Sequence, residues 1–195
     1  MTTGRILNIP NILTLARIVL IPVFLLVAYW PPAMGIDESN PDMTRHMLLT
    51  AIFVVAAVTD WFDGYLARTL NQTSAFGRFL DPVADKLMVA AALIVLVQWQ
   101  PSISMAFAAI VIISREITVS ALREWMAELG ARTSVAVSTV GKYKTAFQMI
   151  AITVFLLNWQ PLDMLAYALL YTAVVLTLWS MFIYLKAACP YLKQP

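Results

Sequence analysis

Long runs of apolar residues, separated by short polar or proline-containing stretches, dominate the hydrophobic pattern of this chain. A helix needs about 20 apolar residues to cross the roughly 30 Å hydrocarbon core of a bilayer. We therefore predict an all-α integral membrane protein with six transmembrane helices. Five of the predicted helices cover residues 12–30, 47–68, 102–123, 143–157 and 162–185. The third helix in chain order is predicted to start between 77 and 82 and to end near 99. Pro82 fits either the first turn of the third helix, capped by Asp81, or an interior kink in a helix that begins earlier.

The composition agrees with a membrane protein and excludes an ordinary soluble globular one. Of the 195 residues, 61% are hydrophobic and 12% are charged, and the mean hydropathy is +0.79. The length fits one membrane domain over residues 1–195, and a lone cysteine, Cys189, excludes a disulfide within the chain. The net charge of +2 says little about partners, and no nucleic-acid partner is expected. The first apolar run is too long for a cleavable signal peptide, so we expect it to be retained.

The basic residues predict the orientation of the helices. With the N-terminus inside, all lysines and arginines except Arg45 fall at or near cytoplasmic ends, as the positive-inside rule requires. Trp30, Trp99 and Trp159 then mark the opposite interface as an aromatic belt. Both termini are therefore predicted to be cytoplasmic. The acidic outer loop between the first two helices is expected to be exposed.

Four aspartates near the cytoplasmic ends of the second and third predicted helices are the main candidate for chemistry. Asp60 and Asp63 are three residues apart, and Gly77, Asp81 and Asp85 follow at four-residue spacing, so each set shares one helix face. A carboxylate near the bilayer centre costs roughly 3 kcal/mol of insertion free energy. Four uncompensated carboxylates would cost several times as much. Divalent cations with oxygen ligands would offset that cost. Two acidic pairs can hold two metal ions about 4 Å apart, a spacing that suits phosphoryl groups.

A polar face at the start of the first helix allows two interpretations. Asn11, Thr14 and Arg17 recur every three residues, and polar residues at helical spacing in a membrane segment usually face protein or a cavity. The alternative is that Asn11 caps the helix while Arg17 extends towards the interface.

The motif around the aspartates resembles a known family. Asp60-x-x-Asp63-Gly64-x-x-Ala67-Arg68, followed after eight residues by Gly77-x-x-x-Asp81-x-x-x-Asp85, resembles the signature of the CDP-alcohol phosphotransferases at every position. The N-terminal Asn11, Thr14 and Arg17 pattern and residues 114–145 are similar to the bacterial phosphatidylglycerophosphate synthases. The resemblance implies the six-helix, N-in and C-in fold of that family. It also implies transfer of a phosphatidyl group from CDP-diacylglycerol to sn-glycerol 3-phosphate, with release of CMP.

The resemblance also implies roles for particular residues. Asp60, Asp63 and Asp81 would hold one divalent cation, and Asp85 would contribute to a second and accept the proton of the attacking hydroxyl. With no Cys or His in the motif, Mg²⁺ or Mn²⁺ is expected rather than zinc. The residues expected to bind CDP-diacylglycerol are Asn11, Thr14, Arg17, Gly64, Ala67, Arg68 and Gly77. Close helix packing is the structural alternative for the glycines.

The acceptor carries a phosphate, which predicts a basic pocket. Arg115, Arg123, Lys142 and Lys144 are the candidates for binding glycerol phosphate. Arg115 lies deepest in an apolar run and needs a partner, for which Glu116 is the candidate. Lipid-headgroup anchoring is the alternative for these cations.

Other functions stay open at this point. Within the family the acceptor could be serine, inositol phosphate or phosphatidylglycerol. A divalent-cation transporter is the alternative from another class, although the polar groups do not continue through the outer half of the predicted helices. The resemblance further implies a homodimer among membrane lipids in a bacterial inner membrane, with its active site at the cytoplasmic face.

Overall fold

Six long helices make up the computed structural model, which describes residues 9–30, 41–69, 75–130 and 139–192. The helices are α1 (Ile9–Ala28), α2 (Pro41–Thr69), α3 (Ala75–Trp99), α4 (Ile103–Glu128), α5 (Thr139–Leu157) and α6 (Asp163–Leu192), with a short 3-10 turn at Gln160–Leu162 before α6. Several predictions fall on parts outside the described residues or side chains. These are residues 31–40 of the acidic outer loop and the side chains of Asp63, Gly64, Ala67, Arg68 and Lys142.

The helix boundaries differ from the predicted ones where helices continue beyond their apolar stretches. The prediction that the second helix begins near 47 is wrong, because α2 begins at Pro41, with Asp42 in its first turn. Proline at the first position and an acid beside it both favour a helix start. The third helix begins at Ala75, so Pro82 lies inside it and the reading with Pro82 in the first turn is excluded.

The fourth and sixth helices also extend beyond their predicted ends. α4 continues to Glu128, where Gly130, with φ of +74°, follows the last turn and its N–H bonds back to the Ala127 carbonyl. This arrangement is a common way to end a helix, because glycine adopts positive φ without steric cost. α6 continues to Leu192, although hydropathy alone predicted an end near 185.

The chain divides into two compact units, of which the first comprises Met1–Leu96 and Leu156–Asn158. In this unit α1 and α2 run antiparallel. Arg45 near the start of α2 donates to the carbonyl of Trp30 just after α1 at 2.7 Å, while Arg17 pairs with Asp60 further along α2. His46 hydrogen-bonds through Nδ1 to the Leu156 carbonyl of the same unit at 3.1 Å.

The second unit comprises Val97–Phe155 and Trp159–Pro195. Here α4 and α6 run parallel, because Arg115 contacts Ser180 and residues further along both helices form one apolar cluster. The buried members of that cluster are Val119, Met126, Tyr184 and Ala188. Phe155 near the end of α5 packs edge to face on Tyr167 near the start of α6, with ring centroids 4.9 Å apart.

Four of the described helical segments are long and apolar enough to cross a membrane: Asn11–Ala28, Asp42–Asp60, Ile103–Glu128 and Gln160–Tyr191. The apolar part of α5, Tyr143–Leu157, is shorter. α3 carries Asp81, Asp85 and Lys86 in its first half, which confines its apolar stretch to the second half. The described part of the chain is therefore all-helical, and its four long apolar helices indicate a multi-pass membrane protein.

Candidate active site

The polar face of α1 is buried inside the first unit. Asn11, Thr14 and Arg17 all lie in the interior, and Arg17 is only 1% exposed. α1 begins at Ile9, so Asn11 lies inside the helix and does not cap it. Of the two interpretations of this face, the structure therefore supports the one in which the three side chains face protein.

Two of these α1 side chains bind aspartates from two different helices. The Thr14 hydroxyl donates to Oδ1 of Asp81 on α3, and Nη1 of Arg17 donates to Oδ1 of Asp60 on α2 at 2.6 Å. Thr14 and Arg17 are three residues apart, which separates them by about 4.5 Å along the helix axis. One turn of α1 therefore brings the two carboxylates to the same side of the unit. We call Thr14, Arg17, Asp60 and Asp81 the carboxylate site.

The carboxylate site combines a buried cation with partly accessible anions. The Asp60 side chain is 43% exposed although its partner Arg17 is almost fully buried. Asp81 and Asp85 are half-buried on α3, and Gly77, one turn before Asp81, is buried. The predicted face of Gly77, Asp81 and Asp85 thus lies on one continuous helix. Because each of Asp60 and Asp81 uses its Oδ1 atom towards α1, its second oxygen is chemically suited to another ligand.

The donor set of this site suits a hard divalent cation, because it consists of carboxylate oxygens without sulfur or imidazole. Among the residues with described side chains, no group of three or more His, Cys, Asp and Glu lies close enough to hold a metal ion. The side chain of Asp63, the fourth predicted ligand, lies outside that part of the structure.

A second polar cluster lies in the second unit and is built on an ion pair predicted from the sequence. Nη1 of Arg115 lies 3.3 Å from Oε1 of Glu116, and the Lys144 ammonium on α5 donates to the same oxygen. Arg115 also donates through Nη2 to the Ser180 hydroxyl on α6 at 2.9 Å, and its guanidinium lies 5.6 Å from the Tyr184 ring centroid. We call these five residues the cation site.

The cation site brings together two of the four residues predicted to bind acceptor phosphate. Arg115 and Lys144 are both buried, and both contact the Glu116 carboxylate. Arg123, two turns further along α4, is exposed, and the Lys142 side chain is outside the described part. A site with two buried cations and their N–H donors is suited to bind an anion such as a phosphate.

Ser180 and Tyr184 of this site were not predicted from the sequence. A serine or tyrosine in an apolar helix is ambiguous, because a serine can bond to its own helix and a tyrosine can lie at the interface. The only available signal was their four-residue spacing, which places both on one face of α6.

Comparison with known proteins assigns the chain to a family. A family model described as CDP-alcohol phosphatidyltransferase matches residues 7–179. A protein of Pectobacterium atrosepticum named CDP-diacylglycerol–glycerol-3-phosphate 3-phosphatidyltransferase is 51% identical over 191 residues, which cover 96% of this chain and 98% of that protein. Proteins with the same name from Haemophilus influenzae and Yersinia pestis are each 50% identical, over 93% and 97% of this chain and 93% and 99% of their own lengths. The chain therefore belongs to the CDP-alcohol phosphatidyltransferase family.

Proposed function

We propose that this protein transfers the phosphatidyl group of CDP-diacylglycerol to sn-glycerol 3-phosphate, forming phosphatidylglycerophosphate and releasing CMP. The carboxylate site carries this proposal. Its two aspartates come from the family signature, and side chains of α1 hold both in place. The names of relatives that are about 50% identical over nearly their full lengths support the choice of donor and acceptor.

Two divalent cations, Mg²⁺ or Mn²⁺, are proposed as cofactors of the carboxylate site. Asp60, Asp63 and Asp81 would hold one, and Asp85 would contribute to the other. When bound, such ions neutralise a diphosphate and stabilise the charge that develops on its leaving group. Arg17 and Thr14 fix the orientation of Asp60 and Asp81 through their hydrogen bonds, so neither carboxylate has to be ordered when a ligand arrives.

The remaining residues of the signature have roles around the donor. Asn11, Gly64, Ala67, Arg68 and Gly77 are proposed to border the nucleotide. The small side chains would leave room for cytidine and ribose. Asp85 is proposed to accept the proton of the glycerol 1-hydroxyl. The hydroxyl oxygen attacks the β-phosphorus at the same time, and the bond from that phosphorus to CMP breaks. A lone aspartate has a pKa far below that of an alcohol, so this role requires help from the metal or from the phosphate.

The cation site is proposed to bind the phosphate of the acceptor. Arg115 and Lys144 offer several N–H donors, and Glu116 holds both in place before the acceptor binds. Ser180 orients the guanidinium of Arg115 from a third helix. Arg123 and Lys142 are proposed to add positive charge near this site.

The finer membrane arrangement is also part of this proposal: six spans, both termini in the cytoplasm, and an active site at the cytoplasmic face of a bacterial inner membrane. The chain would act as a single domain, residues 1–195, in a homodimer. Cys189 tests the topology directly, because it is exposed at the C-terminal end of α6 and is the only cysteine in the chain. An impermeant maleimide should label it in inside-out vesicles but leave it unlabelled in intact spheroplasts. Labelling in spheroplasts would contradict the orientation.

An acceptor assay tests the reaction. Purified protein with CDP-diacylglycerol and Mg²⁺ should release CMP and form lipid with glycerol 3-phosphate. It should do neither with serine, inositol phosphate or phosphatidylglycerol. Asp81→Asn should abolish this activity, whereas the exposed Asp163→Asn at the start of α6 serves as the matched control and should retain it. Product with serine but none with glycerol 3-phosphate would overturn the proposed acceptor, and metal flux into liposomes without CMP release would indicate a transporter.

A further inference from the structure

Three buried polar atoms in the second unit have no hydrogen-bond partner among the described residues. One is Nε of Arg115, whose guanidinium forms hydrogen bonds through its other two nitrogens. The other two are Oε1 of Gln148 on α5 and Oγ1 of Thr177 on α6, and these two residues are 2% and 0% exposed. Buried polar atoms in native proteins are nearly always paired with protein, water or a ligand. The two atoms therefore identify a place where a polar ligand or a water molecule is needed.

Thr177 differs from other threonines on the same set of helices. Five of them donate their hydroxyl to the carbonyl four residues earlier: Thr50, Thr59, Thr145, Thr153 and Thr172. That local bond satisfies a threonine inside an apolar helix. The Thr177 hydroxyl does not form it, although the Thr177 carbonyl accepts a hydrogen bond from Ser180 at 2.9 Å.

The contacts of α5 place Gln148 and Thr177 at the same level of the unit. A chain of contacts through Glu116 and Arg115 links Lys144 to Ser180. Phe155, further along α5, contacts Tyr167, which lies earlier on α6, so α5 and α6 run antiparallel. Gln148 lies four residues after Lys144, and Thr177 lies three residues before Ser180. Equal rise along both helices displaces the two side chains in the same direction from Lys144 and Ser180, by about one turn or roughly 5 Å along the helix axes.

We infer that Gln148 and Thr177 bind the C2 hydroxyl of the acceptor while the cation site holds its phosphate. This inference rests on the proposed function and assigns the part of the pocket that recognises the polyol. In glycerol 3-phosphate the C2 hydroxyl is on the carbon next to the one that bears the phosphate, a separation on the scale of one helix turn. The hydroxyl donates to Oε1 of Gln148 and accepts from Oγ1 of Thr177, so both buried atoms gain a partner.

A deoxy acceptor tests the inference. 3-Hydroxypropyl phosphate keeps the phosphate and the attacking hydroxyl of glycerol 3-phosphate but lacks the C2 hydroxyl. A site that binds a hydroxyl with buried polar groups strongly rejects an analogue without it. We expect kcat/KM of the wild-type protein to be higher for glycerol 3-phosphate than for 3-hydroxypropyl phosphate, by at least about 10-fold for each of the two hydrogen bonds.

The variants Gln148→Leu and Thr177→Val should each lower kcat/KM for glycerol 3-phosphate by about 10-fold, which corresponds to about 1.4 kcal/mol. Each should leave kcat/KM for the deoxy acceptor unchanged. Thr172→Val is the matched control on α6, because Thr172 is exposed and bonded to its own helix. It should change neither value. Thr177→Ser, which keeps the hydroxyl, should restore the preference.

The possible outcomes separate this inference from the proposed function. Equal losses on both acceptors would show that the two side chains serve only the fold, and no loss on either would show that water satisfies them. Both results overturn the inference and leave the reaction intact. If the wild-type protein used neither acceptor, the proposed function would fail and the inference with it. Should Thr177→Val fail to fold, the comparison of Thr177→Ala with Thr177→Ser decides the question in the same way.

Discussion

Replacing Glu116 with glutamine should destabilise the protein strongly, because this one carboxylate accepts from two buried cations. Glu116 is 22% exposed, while the Arg115 and Lys144 side chains are almost fully buried. A hydrogen bond to a charged group contributes about 1.5–3 kcal/mol and a neutral one about 0.5–1.5 kcal/mol. The substitution therefore loses about 1–1.5 kcal/mol at each of two contacts.

The two contacts together lose about 2–3 kcal/mol. The two cations also repel each other more when the carboxylate between them is replaced by an amide, so we take the total loss as about 3 kcal/mol. For a chain of this size, 1 kcal/mol corresponds to about 2–4 °C in Tm. We therefore expect Glu116→Gln to lower the Tm by roughly 6–12 °C, measured by tryptophan fluorescence of the purified protein in detergent. Glu124→Gln is the matched control, since Glu124 is exposed two turns further along the same helix, and it should change the Tm by less than about 1 °C.

Inorganic phosphate provides the second part of this test. An anion at the cation site would supply the charge that the variant lacks, so phosphate should raise the Tm of Glu116→Gln more than that of the wild type. If Glu116→Gln and Glu124→Gln had the same Tm, the ion contacts of Glu116 would not contribute to stability and the reasoning would be refuted. An equal effect of phosphate on variant and wild type would refute the proposed anion site alone.

Three further predictions concern individual side chains. Asp85→Asn should retain binding of CDP-diacylglycerol but lose most turnover, and single-turnover kinetics would measure this loss. If the variant had the kcat of the wild-type protein, Asp85 would not be the base. Thr14→Val should lower kcat/KM for CDP-diacylglycerol by about 10-fold because the Asp81 carboxylate loses its donor, and Thr14→Ser should recover most of it. An unchanged value in Thr14→Val would show that this hydrogen bond does not position Asp81. Ser180→Ala should raise the KM for glycerol 3-phosphate about 3–10-fold with little change in kcat, because the Arg115 guanidinium loses its bond to α6. An effect on kcat alone would assign Ser180 a different role.

The part of the fold that follows from hydropathy could be predicted, whereas the helix ends could not. A run of apolar residues shows where a helix lies within hydrocarbon, but α2 continues outward to Pro41 and α4 continues to Glu128 through polar residues. Those ends depend on local signals, namely a proline at the start of a helix and a glycine just after its end. The charge of Asp81 and Asp85 in a hydrophobic segment was itself informative, because such residues need compensation.

The partners of the candidate site residues required the structure. The sequence indicated that Thr14 and Arg17 share a face, yet only the fold shows that they bind carboxylates from two other helices. The pair of Arg115 and Glu116 was predictable because a buried arginine beside a glutamate has an obvious partner. Ser180 could not be predicted as a further partner, since its contact depends on the parallel packing of α4 and α6.

A count of bound manganese tests the central proposal, that the carboxylate site holds paired divalent cations on the nucleotide-activated lipid. Electron paramagnetic resonance of purified protein titrated with Mn²⁺ in the presence of CDP-diacylglycerol should reveal two bound ions per chain, with the line broadening expected of neighbouring ions. The double variant Asp60→Asn/Asp81→Asn should bind neither. Equal Mn²⁺ binding by the wild-type protein and this variant would contradict the account.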